Sequence, residues 1–243
     1  MIKRLFDIFA SLLGLLAASP LLLPVIFLVW KQDKKNPFYV ATRMGKYETP
    51  FNMIKLRSMV VDADKTGVDS TSSNDMRITP IGHFIRQYKL DELTQLWNVL
   101  WGDMSLVGPR PNVKNETDLY TDTEKKLLNI RPGITDFSSI VFSDEGEILE
   151  GRDDPDLAYN RLIRPWKSRL GLIYMENRST LLDLKLIFYT VIAIISRPKA
   201  LNWVTMQLTK MKVEAGVVTI SKREITLYPF PPPGTNEIVK GRL

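Results

Sequence analysis

Leu90-Asp91-Glu92-Leu93-Thr94-Gln95-Leu96-Trp97-Asn98-Val99-Leu100-Trp101-Gly102-Asp103-Met104-Ser105-Leu106-Val107-Gly108-Pro109-Arg110-Pro111 is the stretch from which the rest of the chain is read. Leu90, Leu93, Leu96, Trp97 and Leu100 recur at helical spacing, which predicts a helix with one stripe turned to a core. Gly102 ends that helix, and Gly108-Pro109-Arg110-Pro111 makes a rigid turn presenting one guanidinium. Asp91 and Glu92 open the helix. Two carboxylates at a helix start, with an arginine brought back by a stiff turn, can hold a divalent ion and a phosphate. The same pair also reads as an N-capping Asp followed by a first-turn Glu, which is a common structural pattern.

At 243 residues the chain can build one sizeable domain or two small ones. It has no cysteine, which excludes disulfides and thiolate chemistry. A single histidine, His83, argues against a histidine metal centre or a Ser-His triad. Catalysis is left to Asp, Glu, Arg and Lys, with a metal held through oxygen. The net charge of +6 is placed unevenly: residues 1–60 carry nine Lys or Arg against three acids, Asp7, Asp33 and Glu48. A basic end joined to an apolar run predicts contact with anionic lipid. The aromatic-basic interleaving of RNA-binding modules is absent, so nucleic acid is not an expected partner.

Residues 8–30 are 23 positions without a charge, about 35 Å as a helix and enough to cross a bilayer. Lys3 and Arg4 precede the run, and Lys31, Lys34 and Lys35 follow it. The positive-inside rule places both flanks on the cytoplasmic side, which one crossing cannot satisfy. Ser19-Pro20 lies at the middle, with Pro24 one turn on, and predicts a bend at residues 18–20. Ser19 can bond back to a carbonyl of the preceding turn. Together these features favour a helix-break-helix that enters and leaves by one face, with a Pro-kinked transmembrane anchor as the alternative.

Residues 37–40 read as a short extended piece. Residues 51–59 alternate with period two, placing Lys55 and Arg57 on one strand face, either as solvated surface or as an anion site. A polar loop over 62–75 leads to a helix starting at Thr79-Pro80, with Ile81, Phe84, Ile85 and Tyr88 on one side and His83 at its margin. Residues 112–129 predict helix, Arg131-Pro132-Gly133-Ile134-Thr135-Asp136 a second arginine-bearing turn, and 137–142 a strand. Residues 143–155 are acidic and turn-rich, in the manner of a flap. Helix is expected over 159–174 with an interruption at Pro165, and again from Thr180, where Asp183 stands at capping-box spacing. The apolar run 186–195 is short for a span and suits a core or interfacial helix. An amphipathic turn or two over 202–211, short strands at 217–220 and 224–228, and a Pro-rich tail complete the reading.

Several of these features, in this order, resemble the bacterial sugar transferase family, the monotopic phosphoglycosyl transferases that initiate polysaccharide and other glycoconjugate synthesis. The resemblance covers residues 1–196. It rests on Lys3-Arg4-Leu5-Phe6-Asp7, Ser19-Pro20, Lys55-Leu56-Arg57-Ser58-Met59, the segment 91–111, Arg131-Pro132-Gly133-Ile134-Thr135 and residues 179–190. The run from Trp97 through Pro111 is the most specific. The resemblance implies transfer of a sugar-1-phosphate from a UDP-sugar to undecaprenyl (polyprenyl) phosphate with release of UMP. It also implies a re-entrant helix broken at Ser19-Pro20, in the bacterial inner membrane with the active site facing the cytoplasm. By the same analogy Asp91 is the nucleophile that forms an aspartyl phospho-sugar in a two-step ping-pong reaction. Glu92 assists, as a metal ligand or by activating the acceptor phosphate. Asp91 and Glu92 together would hold Mg²⁺, or Mn²⁺ in its place, while Lys55, Arg57, Arg110 and Arg131 contact phosphate or nucleotide.

The sequence also departs from the family pattern. Gly171 stands where many relatives carry an acid, which turns attention to Asp153 or Asp154, and Thr94 stands where proline is frequent. The expected architecture is α/β and predominantly helical. Residues 1–36 form the re-entrant membrane helix, and 37–200 a small cytoplasmic catalytic core with short strands and interfacial amphipathic helices. Residues 201–243 form a C-terminal extension acting as lid, dimer element, sugar-recognition addition or passive tail. Starting directly at the re-entrant segment, the chain reads as the minimal form of such an enzyme. A homodimer is compatible with the sequence but specified by nothing in it, and no residue reads out the sugar or the pathway. Two other classes compete: a membrane-bound phosphohydrolase with an aspartyl intermediate, and a non-catalytic membrane scaffold. Intact Asp91, Glu92 and Arg110 argue against the scaffold.

Overall fold

The computed structural model describes residues 2–66, 71, 72 and 74–241, with Asp64 and Thr66 as backbone only. Residues 67–70 and 73 of the loop expected at 62–75, and the last two of the tail, lie outside the described residues. The first element, α1 (Ile2–Asp33), is a 32-residue helix that runs through Pro20 and Pro24. The break expected at Ser19-Pro20 is therefore not an interruption of helical conformation. Proline removes the N–H that would serve the carbonyl four residues earlier, that of Leu16. The Ser19 hydroxyl donates to that same carbonyl at 2.8 Å, so the orphaned acceptor is satisfied locally.

An antiparallel hairpin follows, β1 (Phe38–Met44) and β2 (Pro50–Leu56), with Tyr39 opposite Lys55. Thr79 caps α2 (Pro80–Gln87) by accepting from Gly82 N at 3.0 Å. Two single-turn-scale helices come next, α3 (Leu90–Leu93) and α4 (Leu96–Trp101), and Gly102 ends α4 at φ 101° as its sequence position predicts. Then come β3 (Ser105–Val107), α5 (Lys114–Asp118), α6 (Asp122–Lys125) and β4 (Gly133–Thr135), which pairs parallel to β3. The remainder is helical: α7 (Phe137–Val141), α8 (Glu145–Leu149), α9 (Pro155–Ala158), a π turn (Tyr159–Ile163), α10 (Arg164–Asn177), α11 (Thr180–Ile195), α12 (Arg197–Lys210) and α13 (Ala215–Lys222).

Several local expectations are corrected. The single helix expected from Leu90 to Gly102 is interrupted at Thr94-Gln95, and that expected over 112–129 at residues 119–121, where Thr121 caps a new helix. Residues 137–141 are helix, with Phe142 as the C-cap, and not strand, because Asp136 caps them: its carboxylate accepts from Ser139 N at 2.8 Å. Residues 217–220 lie in α13, where Val217 and Ile220, three apart, both reach the core, and 224–228 form no strand. The irregularity near Pro165 is the π turn before it. Pro165 itself sits in the first turn of α10, where a missing N–H costs nothing.

One large core holds Phe137, Leu170 and Leu186 together with Val204, Leu208, Val217 and Ile220 from the C-terminal helices. The tail then crosses back over α10. Phe230 stacks on Trp166 with ring centres 4.4 Å apart, and Arg169 and Arg161 donate to the carbonyls of Pro231 and Val239 at 2.9 and 2.7 Å.

Helix α1 is held to this body along its length. Near its start, Lys3 pairs with Asp183 at 2.5 Å, Arg4 donates to the Val99 and Leu100 carbonyls, and buried Asp7 accepts from Ser105 Oγ (2.9 Å) and Leu106 N (3.2 Å). Near its end, Val25 and Val29 pack with Leu56, Ile85 and Leu90, and Asp33 pairs with Arg57. The opposite side of α1 leaves Leu5, Phe9, Leu12, Leu16, Leu23 and Phe27 exposed, and α11 exposes Leu181, Leu184, Phe188, Val191 and Ile195. Among the described residues α1 is the one helix long and apolar enough to cross a bilayer.

Candidate active site

The carboxylate pair is placed by side chains of its own helical segment. Thr94 Oγ1 donates to the Ile54 carbonyl at 3.2 Å, while buried Asn98 accepts from Ile54 N at 2.9 Å and donates to the Asn52 carbonyl at 2.7 Å. These bonds satisfy the free edge of β2 and fix its register against α3 and α4. Thr94, where the family pattern favours proline, is thus a docking residue. Lys89 enters α3 in the left-handed region (φ 53°), so the chain turns sharply between α2 and α3. Lys55, the residue after Ile54 on β2, then lies 3.3 Å from Asp91 Oδ2.

Arg110 reaches the site from a different direction. Gly108 N donates to the Thr135 carbonyl and Gly133 N to the Pro109 carbonyl, so the two arginine-bearing turns touch backbone to backbone. A Cβ on Gly133 would stand 2.0 Å from Gly108 N, and glycine is required there for that approach. The turn so held brings Arg110 Nη2 to 2.6 Å from Glu92 Oε1. Asp91, Glu92, Lys55 and Arg110 thereby form one cluster of two adjacent ion pairs, each side chain between 14% and 30% exposed.

The charges in the cluster reinforce one another. Burial works to raise the Glu92 pKa, but the charges of Arg110, Lys89 and Lys55 and the Arg110 hydrogen bond outweigh it and hold the carboxyl at about 2. The Glu92 charge in turn raises Arg110. Burial pushes the Lys55 ammonium below its usual range, with Asp91 pulling the other way. The site thus pairs two carboxylates with two basic side chains, and an incoming phosphate can exchange with a carboxylate for the same donors.

The other two arginines expected here lie elsewhere. Arg57 is buried and forks onto Asp33 at 2.5 and 2.8 Å while Nε donates to the Asn36 carbonyl, so it fastens the end of α1 to β2. Arg131 is exposed and donates through Nε to the Gly102 carbonyl at 2.8 Å, bracing the turn after α4. His83 is exposed on α2. Gly171 is packed against Leu127 and Pro109, where a Cβ would meet Leu127 at 3.0 Å. Asp154 caps α9 by accepting from Leu157 N, and Asp153 is exposed.

Two residues not singled out in the sequence adjoin the cluster. Lys167 of α10 lines a recess that Arg110 also lines, together with Asn112, Asp136 and Tyr159. It pairs with Glu145 at the start of α8. Burial favours the neutral form of Glu145, yet the charge and hydrogen bond of Lys167, with the charges of Arg110 and Lys55, hold its carboxyl below the usual range. No spacing in the sequence could have signalled this pair, since its members come from separate elements 22 residues apart. Asp136, also in the recess, is raised by burial against hydrogen bonds from Ser138 and Ser139. Among the described residues no group of three or more acids or histidines converges as a ready metal cage.

Comparison with known proteins decides the family. The family model described as bacterial sugar transferase matches residues 1–197. The chain belongs to the bacterial sugar transferase family. This sugar transferase is 33% identical over 207 residues to the exopolysaccharide production protein ExoY of Sinorhizobium fredii, covering 79% of this chain and 84% of that one. A Bacillus subtilis protein provisionally named undecaprenyl-phosphate N-acetylgalactosaminyl 1-phosphate transferase is 42% identical over 134 residues, which are 55% of this chain and 71% of the relative. The undecaprenyl-phosphate glucose phosphotransferase of Komagataeibacter xylinus is 39% identical over 197 residues, 78% of this chain but 35% of that longer protein. This sugar transferase is accordingly an enzyme of the phosphoglycosyl transferase type. The cluster around Asp91 and Glu92 lies inside the matched region; residues 198–241, which build α12, α13 and the tail over α10, lie beyond it.

Proposed function

We propose that this chain transfers a sugar-1-phosphate from a UDP-sugar to undecaprenyl phosphate and releases UMP, by way of a phospho-sugar carried on Asp91. The observation that carries the reading is the joining of Asp91 to Lys55 and of Glu92 to Arg110 in one partly buried cluster. An Asp91 carboxylate oxygen attacks the sugar-linked phosphorus, the bond from that phosphorus to the UMP oxygen breaks, and UMP leaves. A phosphate oxygen of the lipid acceptor then attacks the same phosphorus and frees Asp91. Arg110 and Lys55 bind phosphate oxygens and stabilise the charge that builds on them. Glu92 aims Arg110. Mg²⁺ typically takes one or two carboxylates and completes its shell with substrate phosphates and water, a donor set that Asp91 and Glu92 fit. Bound there, Mg²⁺ or Mn²⁺ would offset charge on the leaving group.

The membrane reading rests on α1. Its two ends, residues 3–7 and 25–33, both hold to the same body, and a straight 32-residue helix is about 48 Å long. Crossing a hydrocarbon core about 30 Å thick would part those attachments. This supports a helix that, bent about Pro20 while staying helical, enters and leaves by one face, with the exposed leucines and phenylalanines of α1 and the exposed stripe of α11 toward lipid. Basic residues at both flanks of the run favour the cytoplasmic leaflet of the bacterial inner membrane.

The test is UMP release from a panel of UDP-sugars by membrane-reconstituted protein, with and without undecaprenyl phosphate and Mg²⁺, set beside Asp91→Asn. Turnover that needs acceptor, metal and Asp91 is the expected outcome, and it names the sugar. Robust turnover by Asp91→Asn would sink the covalent mechanism. Release of free sugar phosphate without acceptor would point instead to a phosphohydrolase.

A further inference from the structure

Lys167 and Arg110 line one recess; Arg110 is paired with Glu92, and the carboxylate paired with Lys167 is that of Glu145. Glu145 is in ion-pair contact with Lys167 and within electrostatic reach of Arg110 and Lys55. An anion in contact with one lysine of the recess and within electrostatic reach of its arginine, beside a site that must receive a diphosphate, stands where a phosphate would bind. Carboxylate and phosphate offer the same donors the same kind of acceptor.

The two partners are mounted differently. Lys167 is firm: its side chain is 13% exposed and passes over the Tyr159 ring, and its helix is gripped by the tail through Phe230 on Trp166 and by Arg169 on the Pro231 carbonyl. Glu145 is the looser member, with its side chain 33% exposed. The backbone beneath it is fixed. Arg197 and Arg223 both hold the Asp144 carboxylate, at 2.8 and 3.0 Å, and Leu149 at the other end of α8 is fully buried. The Glu145 side chain can therefore turn out to water without any movement of α8, and a partly exposed ion pair is a weak one to break.

We propose that Lys167 and Arg110 form a second phosphate subsite for the nucleoside diphosphate part of the donor, and that Glu145 is a built-in placeholder anion which the incoming phosphate displaces. This rests on the transferase reading above. It makes opposite predictions for the two members of one ion pair. Losing Lys167 removes a donor to the ligand, whereas neutralising Glu145 removes a competitor.

The experiment is UDP binding by the full-length chain in nanodiscs, measured by calorimetry for wild type, Lys167→Met, Glu145→Gln and the double variant, with farnesyl phosphate as the lipid-phosphate arm. Lys167→Met should weaken UDP binding about tenfold or more, the loss of one charge-assisted contact. Glu145→Gln should tighten it about three- to tenfold, because the binding-competent state is no longer taxed by the internal anion. In the double variant the gain from Glu145→Gln should shrink, since the contact it relieves is with Lys167 and only the weaker charge effect on Arg110 and Lys55 remains. Farnesyl phosphate binding should be unchanged in all three. Weakening by Glu145→Gln, or no shift in either single variant, overturns the placeholder, and shifts confined to farnesyl phosphate overturn the donor assignment. A wild-type chain that binds no UDP overturns the transferase reading as well, so the two failures are told apart. Equal melting temperatures for the variants exclude misfolding as the source of a weakened affinity.

Discussion

Asp7→Ala tests whether α1 and the body behind it are one folding unit. Asp7 is 2% exposed, and its two carboxylate oxygens serve Ser105 Oγ at 2.9 Å and Leu106 N at 3.2 Å. Truncation leaves both donors buried without an acceptor, and each such orphan costs about 1–3 kcal/mol. The main-chain N–H cannot turn away. The Ser105 hydroxyl can rotate, which takes its cost toward the low end, so a total of about 3 kcal/mol is expected. For a chain of this size each kcal/mol lowers the melting temperature by about 2–4 °C, so a fall of about 6–12 °C should follow. The assay is thermal unfolding by circular dichroism in nanodiscs, with Leu12→Ala, on the exposed side of the same helix, as the comparison. A melting temperature within a degree of wild type would refute the reasoning, for it would mean that α1 contributes nothing to the fold it touches.

Two further outcomes are expected. Arg57→Met should lower the melting temperature while leaving the donor KM within about twofold, because its guanidinium is committed to Asp33 and Asn36; a tenfold rise in KM with stability intact would assign it to phosphate. Since the chain has no cysteine, Ile2→Cys and Asn36→Cys can each be labelled alone in sealed inverted membrane vesicles. Both should react with an impermeant maleimide from the cytoplasmic face, and reaction from opposite faces would establish a span.

Helical backbone around Asp91 and Glu92 was legible from the leucine spacing, but the one helix expected is two: α3 carries the acids and α4 is the one that Gly102 closes. Lys55 and Arg110 were legible as candidates, but their pairing was not. It depends on Asn98 and Thr94 bonding to Ile54, a contact between segments about forty residues apart. Arg57 shared a strand face with Lys55 in the sequence. What separates them is Asp33, a surface-looking acid at the end of an apolar run. The short apolar segments 137–142 and 217–220 misled for a common reason: a buried run of that length has no readable period, and the capping carboxylate of Asp136 settles the first. The recess was invisible for another. Lys167 and Glu145 matter through what α10 and α8 pack against, and neither stands in a motif.

The tie between Lys3 and Asp183 spans 180 residues of sequence, and that between Asp7 and Ser105 spans 98. During synthesis, the long apolar helix α1 therefore leaves the ribosome long before the surfaces that will hold it exist. For that interval Lys3 and Asp7 have no partners, and the leucines between them and Trp30 have only lipid or a chaperone to cover them. Delivery of α1 to the bilayer then precedes closure of the body onto it, so that assembly runs from the membrane outward.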